Sequence, residues 1–262
     1  MEPAEIRQMF ALEESHWWYR ALHRRILAAL DRSGALAPPP PACLDAGCGT
    51  GMLLARLDRR VRGSGLDHSA LALALARRRG LPHLLRGSVE ALPVASASQA
   101  IIVSADVLYH QGVTDDQQAL REFSRCLMPG GLLVLNLPAF NRLRSTHDEA
   151  VHTARRYTAR AVRRKLAASG LLPLRVRYWN WLLFGPIALR RLRHRRPVAS
   201  SGRGARAAPE PSDLAPLPAW LNGLLAALMR AEEALDWAAP PFGLSVLAVA
   251  RKPAPRSAGG GA

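Results

Sequence analysis

The sequence predicts an α/β protein built on a doubly wound parallel sheet. From residue 42 to residue 137, short apolar segments with strand character alternate with longer segments whose apolar residues recur at helical spacing. A glycine-rich turn directly follows the first of these strands. The chain has 262 residues, of which 49% are hydrophobic and 21% are charged, so we expect one large domain, or one with an insert, and exclude wholesale disorder.

Local patterns define the elements of the first half in order. A helical segment covers residues 5–30, where apolar side chains recur at helical spacing, and the proline-rich run 37–41 ends it. Gly80 ends a later helix, and Pro129-Gly130-Gly131 is expected to stop another. The predicted strands are 42–46, 65–67, 83–86, 100–105 and 132–137, and the predicted helices are 52–60, 69–79 and 115–127.

The pattern changes after residue 137. Thr158 is expected to cap a helix over 158–169, which Gly170 ends, and strands over 172–183 and 244–251 complete the sheet. Between these two strands the sequence predicts a short cationic helix over 186–196, a mobile Pro/Ser/Gly/Ala-rich linker over 197–213 and an amphipathic helix over 219–237. The residues expected on the apolar face of the last helix are Trp220, Leu221, Leu224, Leu225, Leu228 and Leu235.

This order of elements predicts four parts of the chain. They are an N-terminal helical cap over 1–36, an α/β core formed by 37–184 and 242–252, a basic and amphipathic insert over 185–241, and a disordered tail over 253–262. The first residues do not resemble a signal peptide, and the apolar run 179–189 is about half the ~20 residues that span a bilayer. Because the three cysteines form no CxxC pair, we expect a cytoplasmic protein without disulfides.

Charge is distributed very unevenly. Residues 1–150 hold 17 basic and 15 acidic side chains, whereas residues 151–262 hold 19 basic and 5 acidic ones. No acid stands between Glu149 and Glu210, a stretch with fifteen basic groups. Such a field attracts phospholipid, nucleic acid or a phosphorylated substrate, and a solvated arginine-rich face is an equally good interpretation.

The segment LDAGCGTG over 44–51 lies between the first strand and the next helix. Its glycines allow a tight turn and the close approach of a ligand. A dinucleotide fingerprint would need a glycine where Met52 stands, and the absence of GK[ST] excludes a phosphate-binding P-loop. Asp45, two residues before the first glycine, would repel a phosphate and favours a ligand with a positive amino group.

A second acid, Asp67, stands at the end of the second strand, 20 residues after Gly47. A carboxylate at that place can accept hydrogen bonds from both hydroxyls of a ribose. The alternative is a loop carboxylate that caps the helix beginning near Ser69.

These residues resemble the class I S-adenosylmethionine-dependent methyltransferases, in particular their small-molecule, quinone-methylase-like branch. The resemblance covers roughly residues 5–185 and 242–252, and it rests on the 44–51 segment, Asp67, Leu92-Pro93, the 127–131 segment LMPGG and the terminal strand pair. It implies a Rossmann-like seven-stranded sheet whose last strand is antiparallel and lies beside the sixth, with the helical insert between strands six and seven. It also implies S-adenosyl-L-methionine as the cofactor.

The resemblance also implies a set of cofactor-binding residues. Asp45 and Gly47 would meet the methionine part, Asp67 the ribose, and Ser88 and Val89 the adenine, although many relatives carry an acid where Ser88 stands. The segment 14–20 resembles the one that closes over the cofactor, where Arg20 would pair with a carboxylate and an aromatic side chain would cover the sulfonium; ordinary helix packing is the alternative. The implied cofactor-binding residues are Trp18, Tyr19, Arg20, Asp45, Gly47, Cys48, Gly49, Gly51, Asp67, His68, Ser88, Val89, Ser104 and Ala105.

Two clusters contain candidates for contact with a methyl acceptor. Tyr109 and His110 follow the fourth strand, and His110 is the better base near neutral pH, although a lone histidine is more often structural. The second cluster follows the fifth strand, and in it either Arg155 or Arg156 is suited to an anionic group. Its candidates are His147 for catalysis and Asn136, His152 and Arg156 for substrate binding. No metal is expected, because His147 and Asp148 are adjacent and no fourth ligand is evident.

The leading hypothesis is a methyltransferase that acts on a small, lipophilic or natural-product-like acceptor. Its aromatic and arginine-rich insert would lie on an anionic membrane surface or cover the pocket. The first alternative is an RNA-modifying methyltransferase, which the absence of an RNP-like or NPPY motif disfavours. The second is a non-catalytic subunit that only binds the cofactor. The sequence does not identify the acceptor or the oligomeric state.

Overall fold

The computed structural model describes residues 2–143, 153–193 and 216–254. Seven strands in these parts of the chain form one sheet in the order β3-β2-β1-β4-β5-β7-β6. The strands β1 to β5 pair in parallel, and β7 lies antiparallel between β5 and β6, which confirms the predicted fold. The strands are β1 (Ala42–Ala46), β2 (Arg62–Asp67), β3 (Leu84–Arg86), β4 (Gln99–Ala105), β5 (Leu127–Pro138), β6 (Leu172–Trp179) and β7 (Ser245–Arg251).

Helices cover both faces of the sheet. One face buries a core shared with α5 and α6, including Phe123 and Leu166, and the other a core shared with α2, α3 and α8, including Ile26, Leu53 and Met229. The helices are α1 (Pro3–Leu12), α2 (Trp17–Arg32), α3 (Met52–Leu57), α4 (Ala70–Arg77), α5 (Asp116–Cys126), α6 (Ala159–Ala168), α7 (Phe184–Arg193) and α8 (Ala219–Ala234). Successive residues of a strand point to opposite faces of the sheet. Because helices cover both faces, nearly every residue of the central strands is buried, which explains their near-continuous apolar runs.

Side-chain caps explain where three of the core helices begin. The Ser69 hydroxyl accepts from the N–H of Ala72 at 3.2 Å, and the Thr158 hydroxyl accepts from that of Ala161 at 3.2 Å. Asp115 accepts from two backbone N–H groups of α5, at 2.8 and 3.0 Å. These bonds satisfy donors that a helix leaves unpaired at its start, and they confirm the predicted N-cap of Thr158.

The single helix predicted over residues 5–30 is wrong: two helices, α1 and α2, occupy this part of the chain. Between the two helices Glu13 is buried, and its carboxylate accepts hydrogen bonds from the hydroxyl of Thr50 and from a guanidinium N–H of Arg79. His16 then caps α2 through Nδ1, which accepts from the N–H of Trp18 at 3.4 Å. The apolar spacing continues through the break, so these contacts, rather than local propensity, turn the chain.

Two predicted boundaries in the sheet also differ. Pro129-Gly130-Gly131 lies inside β5, because α5 already ends at Cys126 and the chain continues extended from Leu127. The strand predicted to reach residue 183 ends at Trp179, because Asn180 has a φ of +58° and the next backbone N–H groups turn towards Glu232.

The apolar face predicted for the 219–237 helix is confirmed at Leu225 and Leu228, which pack against the core, but it is wrong at Trp220 and Leu224. The residues that α8 buries are Ala226, Met229 and Glu232, whereas Trp220 is 71% and Leu224 51% exposed. Glu232 lies inside because it pairs with Arg25 of α2, which rotates the helix away from its most apolar stripe.

The linker predicted over 197–213 and residues 255–262 of the predicted tail lie outside the described residues. Among the described residues, no helix combines the length and the apolar composition needed to cross a membrane.

Candidate cofactor and acceptor site

The carboxyl ends of β1, β2 and β4 meet at one edge of the sheet, where the strand order reverses between β1 and β4. In doubly wound sheets this crevice is where ligands bind. An acid stands at or just beyond the end of each of these strands: Asp45, Asp67 and Asp106. The structure therefore brings together the two acids that the sequence indicated and adds a third.

The glycine loop, residues 47–51, connects β1 to α3. Its three glycines have φ values between +53° and +91°, a region that other residues rarely adopt. At Gly47 a side chain is excluded for a second reason, because a Cβ there would overlap the side chain of Val107. The N–H groups of Gly47 and Cys48 donate to the carbonyl of Leu66 at 2.7 and 2.9 Å, which fixes the loop against β2.

The carboxylate of Asp67 organises the neighbouring backbone. It accepts from the N–H of Gly49 at 2.9 Å and from the N–H of Ser69 at 2.8 Å. The second bond is the helix-start role considered as the alternative. Each oxygen has a further lone pair, so this role leaves capacity to accept hydrogen bonds from a ligand.

Asp45 is a buried carboxylate without a neutralising partner. It is 3% exposed, and burial, followed by the charges of Asp67 and Glu13, raises its pKa to about 7. Across residues 2–143, 153–193 and 216–254, no basic side chain forms an ion pair with it. A buried charge is costly unless something compensates it, so this edge is suited to a positively charged group.

Comparison with known proteins identifies the domain. Residues 44–135 match the family model described as a methyltransferase domain. The chain is 41% identical over 103 residues to the 2-phytyl-1,4-naphtoquinone methyltransferase of Thermosynechococcus vestitus, and 36% identical over 124 residues to the malonyl-[acyl-carrier protein] O-methyltransferase of Enterobacter lignolyticus. The chain contains a class I S-adenosylmethionine-dependent methyltransferase domain.

The two alignments cover 36% and 43% of this chain. The chain spans less than half the length of these curated relatives, 44% and 47%. The fold is also that of a putative methyltransferase solved in complex with the Haloferax volcanii Trm112 methyltransferase activator, with a TM-score of 0.57, 21% identity and coverage of 97% of this chain and 95% of that one.

The residues at this edge fit S-adenosylmethionine, the cofactor of this methyltransferase class. The cofactor carries a positive sulfonium and a positive amino group, which match the uncompensated carboxylate of Asp45. Its ribose hydroxyls need acceptors, which Asp67 provides, and its close approach to the backbone needs a loop without side chains, such as that at Gly47. The individual contacts of these three residues stay predictions.

Helix α1 covers the glycine loop of the methyltransferase domain. A Cβ on Gly49 would lie 2.9 Å from the Cε of Met9. Arg79 holds the end of α1 in place, because it donates to Glu13 at 2.8 Å and to the carbonyls of Phe10 and Thr50 at 3.0 Å each.

The start of α2 contains the three residues predicted to close over the cofactor. Tyr19 is buried, and burial and then the charges of Glu13, Tyr109 and Asp106 raise its pKa, so it lies next to the acids of the site. Trp18 stacks on Trp179, at 6.3 Å between ring centroids, which is the helix-packing alternative. Arg20 makes no ion pair within the described parts of the chain, and its charge lowers the pKa of Arg56 after burial does.

Several other predicted cofactor residues have structural contacts of their own. Ser104 donates to the carbonyl of Ala46 at 2.8 Å and so joins β4 to β1 at the crevice, and Gly51 packs against α4. Ser88 is exposed and Val89 is buried. The remaining predicted cofactor residues are Cys48, which is buried, Ala105, which is half-buried, and His68. The side chain of His68 is 71% exposed, and its Nδ1 lies 3.5 Å from Asp67.

Asp106 follows β4 directly, with a φ of +59°. Both of its oxygens lie 3.1 Å from the Nδ2 of Asn136, whose Oδ1 accepts from the indole N–H of Trp179 at 2.8 Å. Burial raises the pKa of Asp106 to about 7, against the opposing effects of Asn136 and Arg156. Asn136, a predicted substrate residue, is itself fully buried, and its contact with a substrate stays a prediction.

Tyr109 and His110 lie beyond Asp106 and are half-buried. The Nδ1 of His110 accepts from the N–H of Gly112 at 3.1 Å. In neutral histidine one nitrogen accepts and the other carries the proton, so Nε2 is the protonated one here. The role of His110 as a general base stays a prediction.

The remaining predicted residues belong to the segment after β5. His147 and His152 lie outside the described residues. Arg156 is buried, donates to the carbonyl of Ala139 at 3.1 Å and lowers the pKa of Asp106, so it lies on the acceptor side. Within the described ranges, no group of three or more potential metal ligands is placed to hold an ion.

Three charged residues of this site are not indicated by motif or spacing. One feature of the sequence could have indicated Asp106: like Asp45 and Asp67, it is an acid at the end of a predicted buried strand. Glu13 and Glu232 had no such feature, because each is buried by partners far away in the sequence.

Proposed function

We propose that this protein transfers the methyl group of S-adenosylmethionine to a small, lipophilic acceptor. When bound, the cofactor supplies a methyl group on a positively charged sulfur, which is already a good electrophile. The protein then has to hold this cation, exclude water and align the acceptor. The observation that carries the proposal is the buried, uncompensated carboxylate of Asp45 beside the three positive-φ glycines of the glycine loop.

Aromatic side chains beyond β5 and β6 support a lipophilic acceptor. Phe140 and Tyr178 stack at 4.9 Å with an interplanar angle of 13°. Phe184 meets Phe140 edge-on at 6.0 Å and contacts Phe242 at 5.1 Å. Phe242 is 41% exposed, so this aromatic cluster reaches the surface at the edge of the sheet that holds the site. The relative named for a phytyl-naphthoquinone acceptor is consistent with this chemistry.

Calorimetry with S-adenosylhomocysteine tests the cofactor part of the proposal. We expect the wild type to bind it, and Asp67→Asn to weaken binding by about 1–3 kcal/mol, because buried hydrogen-bond partners lose their acceptor. Asp31→Asn is the matched control, since Asp31 is an exposed aspartate paired with Arg60 on the surface. Equal affinities for all three proteins would remove Asp67 from the cofactor site.

Methyl transfer from labelled cofactor to quinols, phenols and carboxylic acids tests the acceptor part. Labelled product from an apolar member of the panel would support the proposal, and labelled RNA would replace it by the RNA-modifying alternative. Cofactor binding without transfer to any acceptor would favour the non-catalytic alternative. A His110→Ala variant with wild-type turnover would reduce His110 to a packing residue.

A peripheral position on an anionic membrane would deliver such an acceptor. Asn222 of α8 accepts from the N–H of Trp17 at 2.8 Å and donates to the carbonyl of Ser15 at 3.0 Å, so the start of α8 lies near the glycine loop. There Trp220 and Leu224 point outward, 71% and 51% exposed. The net charge of +16 complements anionic lipid.

Sedimentation with anionic liposomes tests this membrane surface. We expect binding at low salt and release at high salt, because screening weakens the attraction. Trp220→Ser with Leu224→Ser should reduce binding, whereas Leu172→Ser, an exposed leucine at the opposite edge of the sheet, should not. Wild-type binding by the double variant, or none by the wild type, would contradict the membrane proposal.

A further inference from the structure

A continuous series of hydrogen bonds and one cation–π contact runs through buried side chains and ends at the half-buried Asp106. We call it the acceptor-side network; it consists of Asp106, Asn136, Trp179, Arg25 and Glu232. The Arg25 guanidinium lies 5.1 Å from the ring centroid of Trp179 and donates to Glu232 at 2.9 Å. The acceptor-side network connects α8, α2 and the sheet to the crevice.

This network fixes the direction of the Asn136 amide. An indole nitrogen only donates hydrogen bonds, so the atom of Asn136 that faces Trp179 must be the oxygen. The NH₂ group therefore points at Asp106, where it lies 3.1 Å from each carboxylate oxygen. Asn136 cannot turn away without losing both partners.

The backbone of Asp106 is strained as well. A non-glycine residue with a φ of +59° is uncommon, and such conformations cluster at functional sites, where the surroundings enforce them. The next residue, Val107, packs on Gly47 of the glycine loop.

The groups around Asp106 leave it able to exchange a proton near neutral pH. Arg156 and the amide of Asn136 favour its charged form, and burial opposes them, so its pKa is raised to about 7. The charges of Asp106 and of Tyr109, from the same loop, both act on Tyr19 of α2 and contribute to raising its pKa. Neither tyrosine competes as a base, because burial raises the pKa of Tyr19 well above its ordinary value and phenols are protonated at neutral pH.

We propose that Asp106 accepts the proton of the methyl acceptor and that Asn136 is its positioning residue. This inference rests on the proposed methyl transfer. The hydroxyl or amine of the acceptor gives its proton to the Asp106 carboxylate while its oxygen or nitrogen forms the bond to the methyl carbon. The methyl–sulfur bond breaks, its electron pair stays on sulfur, and the protonated Asp106 later releases the proton to water.

Acceptors of different acidity separate this role from a structural one. We expect Asp106→Asn to slow transfer to an ordinary phenol, with a pKa of about 10, by about 10²–10⁴-fold. Transfer to an acidic phenol that is ionised at neutral pH should change little, because that acceptor has no proton to lose. Asp115→Asn is the matched control, since asparagine caps a helix as well as aspartate does. Equal losses on both phenols, or no loss on either, would overturn the inference.

Titration of the aspartate carboxyls by carbon NMR provides a readout without any acceptor. The signal that disappears in Asp106→Asn should titrate near neutral pH, and Asn136→Ala should move its midpoint upward, because the amide favours the charged form. If Asn136→Ala does not fold, Trp179→Phe, which keeps an aromatic ring but removes the N–H that orients the amide, should move the midpoint in the same direction.

The outcomes distinguish the two proposals. Wild-type protein that binds S-adenosylhomocysteine but methylates no acceptor would contradict the proposed function, and the titration alone would then decide whether Asp106 is poised to take up a proton. A wild type that methylates phenols, together with an Asp106 signal that stays ionised down to the range of an exposed aspartate, would keep the function and overturn the role of Asp106.

Discussion

The glycine-loop region (residues 45–69) and the acceptor-side network lie at the same edge of the sheet, but the sequence separation between hydrogen-bonded residues is much smaller in the first than in the second. Asp67 accepts from the N–H of Gly49, 18 residues away. In the network the partners are 30 residues apart for Asn136 and Asp106, 43 for Trp179 and Asn136, and 207 for Arg25 and Glu232. The glycine-loop region can therefore be recognised in the sequence as a motif, whereas the contacts of the acceptor-side network form only when the chain folds.

The two regions also compensate charge differently. Asp45 has no cationic partner among the residues described, whereas Glu232 is 0% exposed and accepts from Arg25 and from three backbone N–H groups at 2.6 to 3.0 Å. A buried acid that is fully paired belongs to the framework of the protein. One that is left unpaired is poised for a ligand, and three substitutions test this difference.

Glu232→Ala should have the largest effect, a loss of about 3–5 kcal/mol in the free energy of unfolding, because it leaves three N–H groups without their acceptor and takes from the buried Arg25 its partner at 2.9 Å, so that only Asp236 at 3.7 Å remains as an ion-pair partner among the described residues. Denaturant unfolding measures it. Glu233→Ala is the control from the neighbouring pair with Arg24, where the side chains are 27% and 28% exposed, and it should cost at most about 1 kcal/mol. Similar losses of stability in the two variants would show that the buried contacts of Glu232 stabilise the protein no more than the partly exposed pair of Glu233 and Arg24.

Asp45→Asn should stabilise the protein above neutral pH. An unfolded aspartate titrates at about 3.9, and in the folded protein the pKa of Asp45 is raised to about 7, so the folded state binds the proton more tightly. Stability therefore falls as pH rises between these values and stays lower above them. Relative to wild type, the free energy of unfolding of the variant should rise by up to about 4 kcal/mol at about pH 8 and by little at about pH 4, while the variant binds the cofactor more weakly.

Thermal unfolding of wild type and Asp45→Asn at both pH values measures this gain. A variant that is less stable at the higher pH would mean that Asp45 is compensated in the absence of a ligand. The glycine-loop region would then resemble the acceptor-side network in how it balances charge.

Arg79→Gln should have the smallest effect and the most local one. It removes the bonds that hold α1 over the glycine loop, at a cost of about 1 kcal/mol in local stability. Amide hydrogen exchange should accelerate in residues 3–12 and stay unchanged in the central strands. Arg78→Gln is the control, because Arg78 lies only near the Phe10 ring, at 5.5 Å. Exchange that accelerates throughout the sheet would show that α1 is part of the global fold.

The elements of the core were predictable because local chemistry sets them. The apolar runs of β1 and β4, the cap at Thr158 and the glycines after β1 each act over a few residues, and the structure has them where the sequence indicates. The break between α1 and α2 was not predictable, because Glu13 favours a helix by itself and its partners at the end of α1, Thr50 and Arg79, come from distant parts of the chain.

By itself, the sequence determined the order of strands and helices, the glycine loop and the two acids beside it, since each depends on backbone geometry or on neighbours close in the chain. Only the tertiary structure decided that Trp220 points outward, that Glu232 is buried against Arg25, and that Asp106 is held by Asn136 at the crevice. The physical reason is that the protonation, direction and partners of a buried polar group are set by side chains that folding brings from distant positions, and no local pattern encodes them.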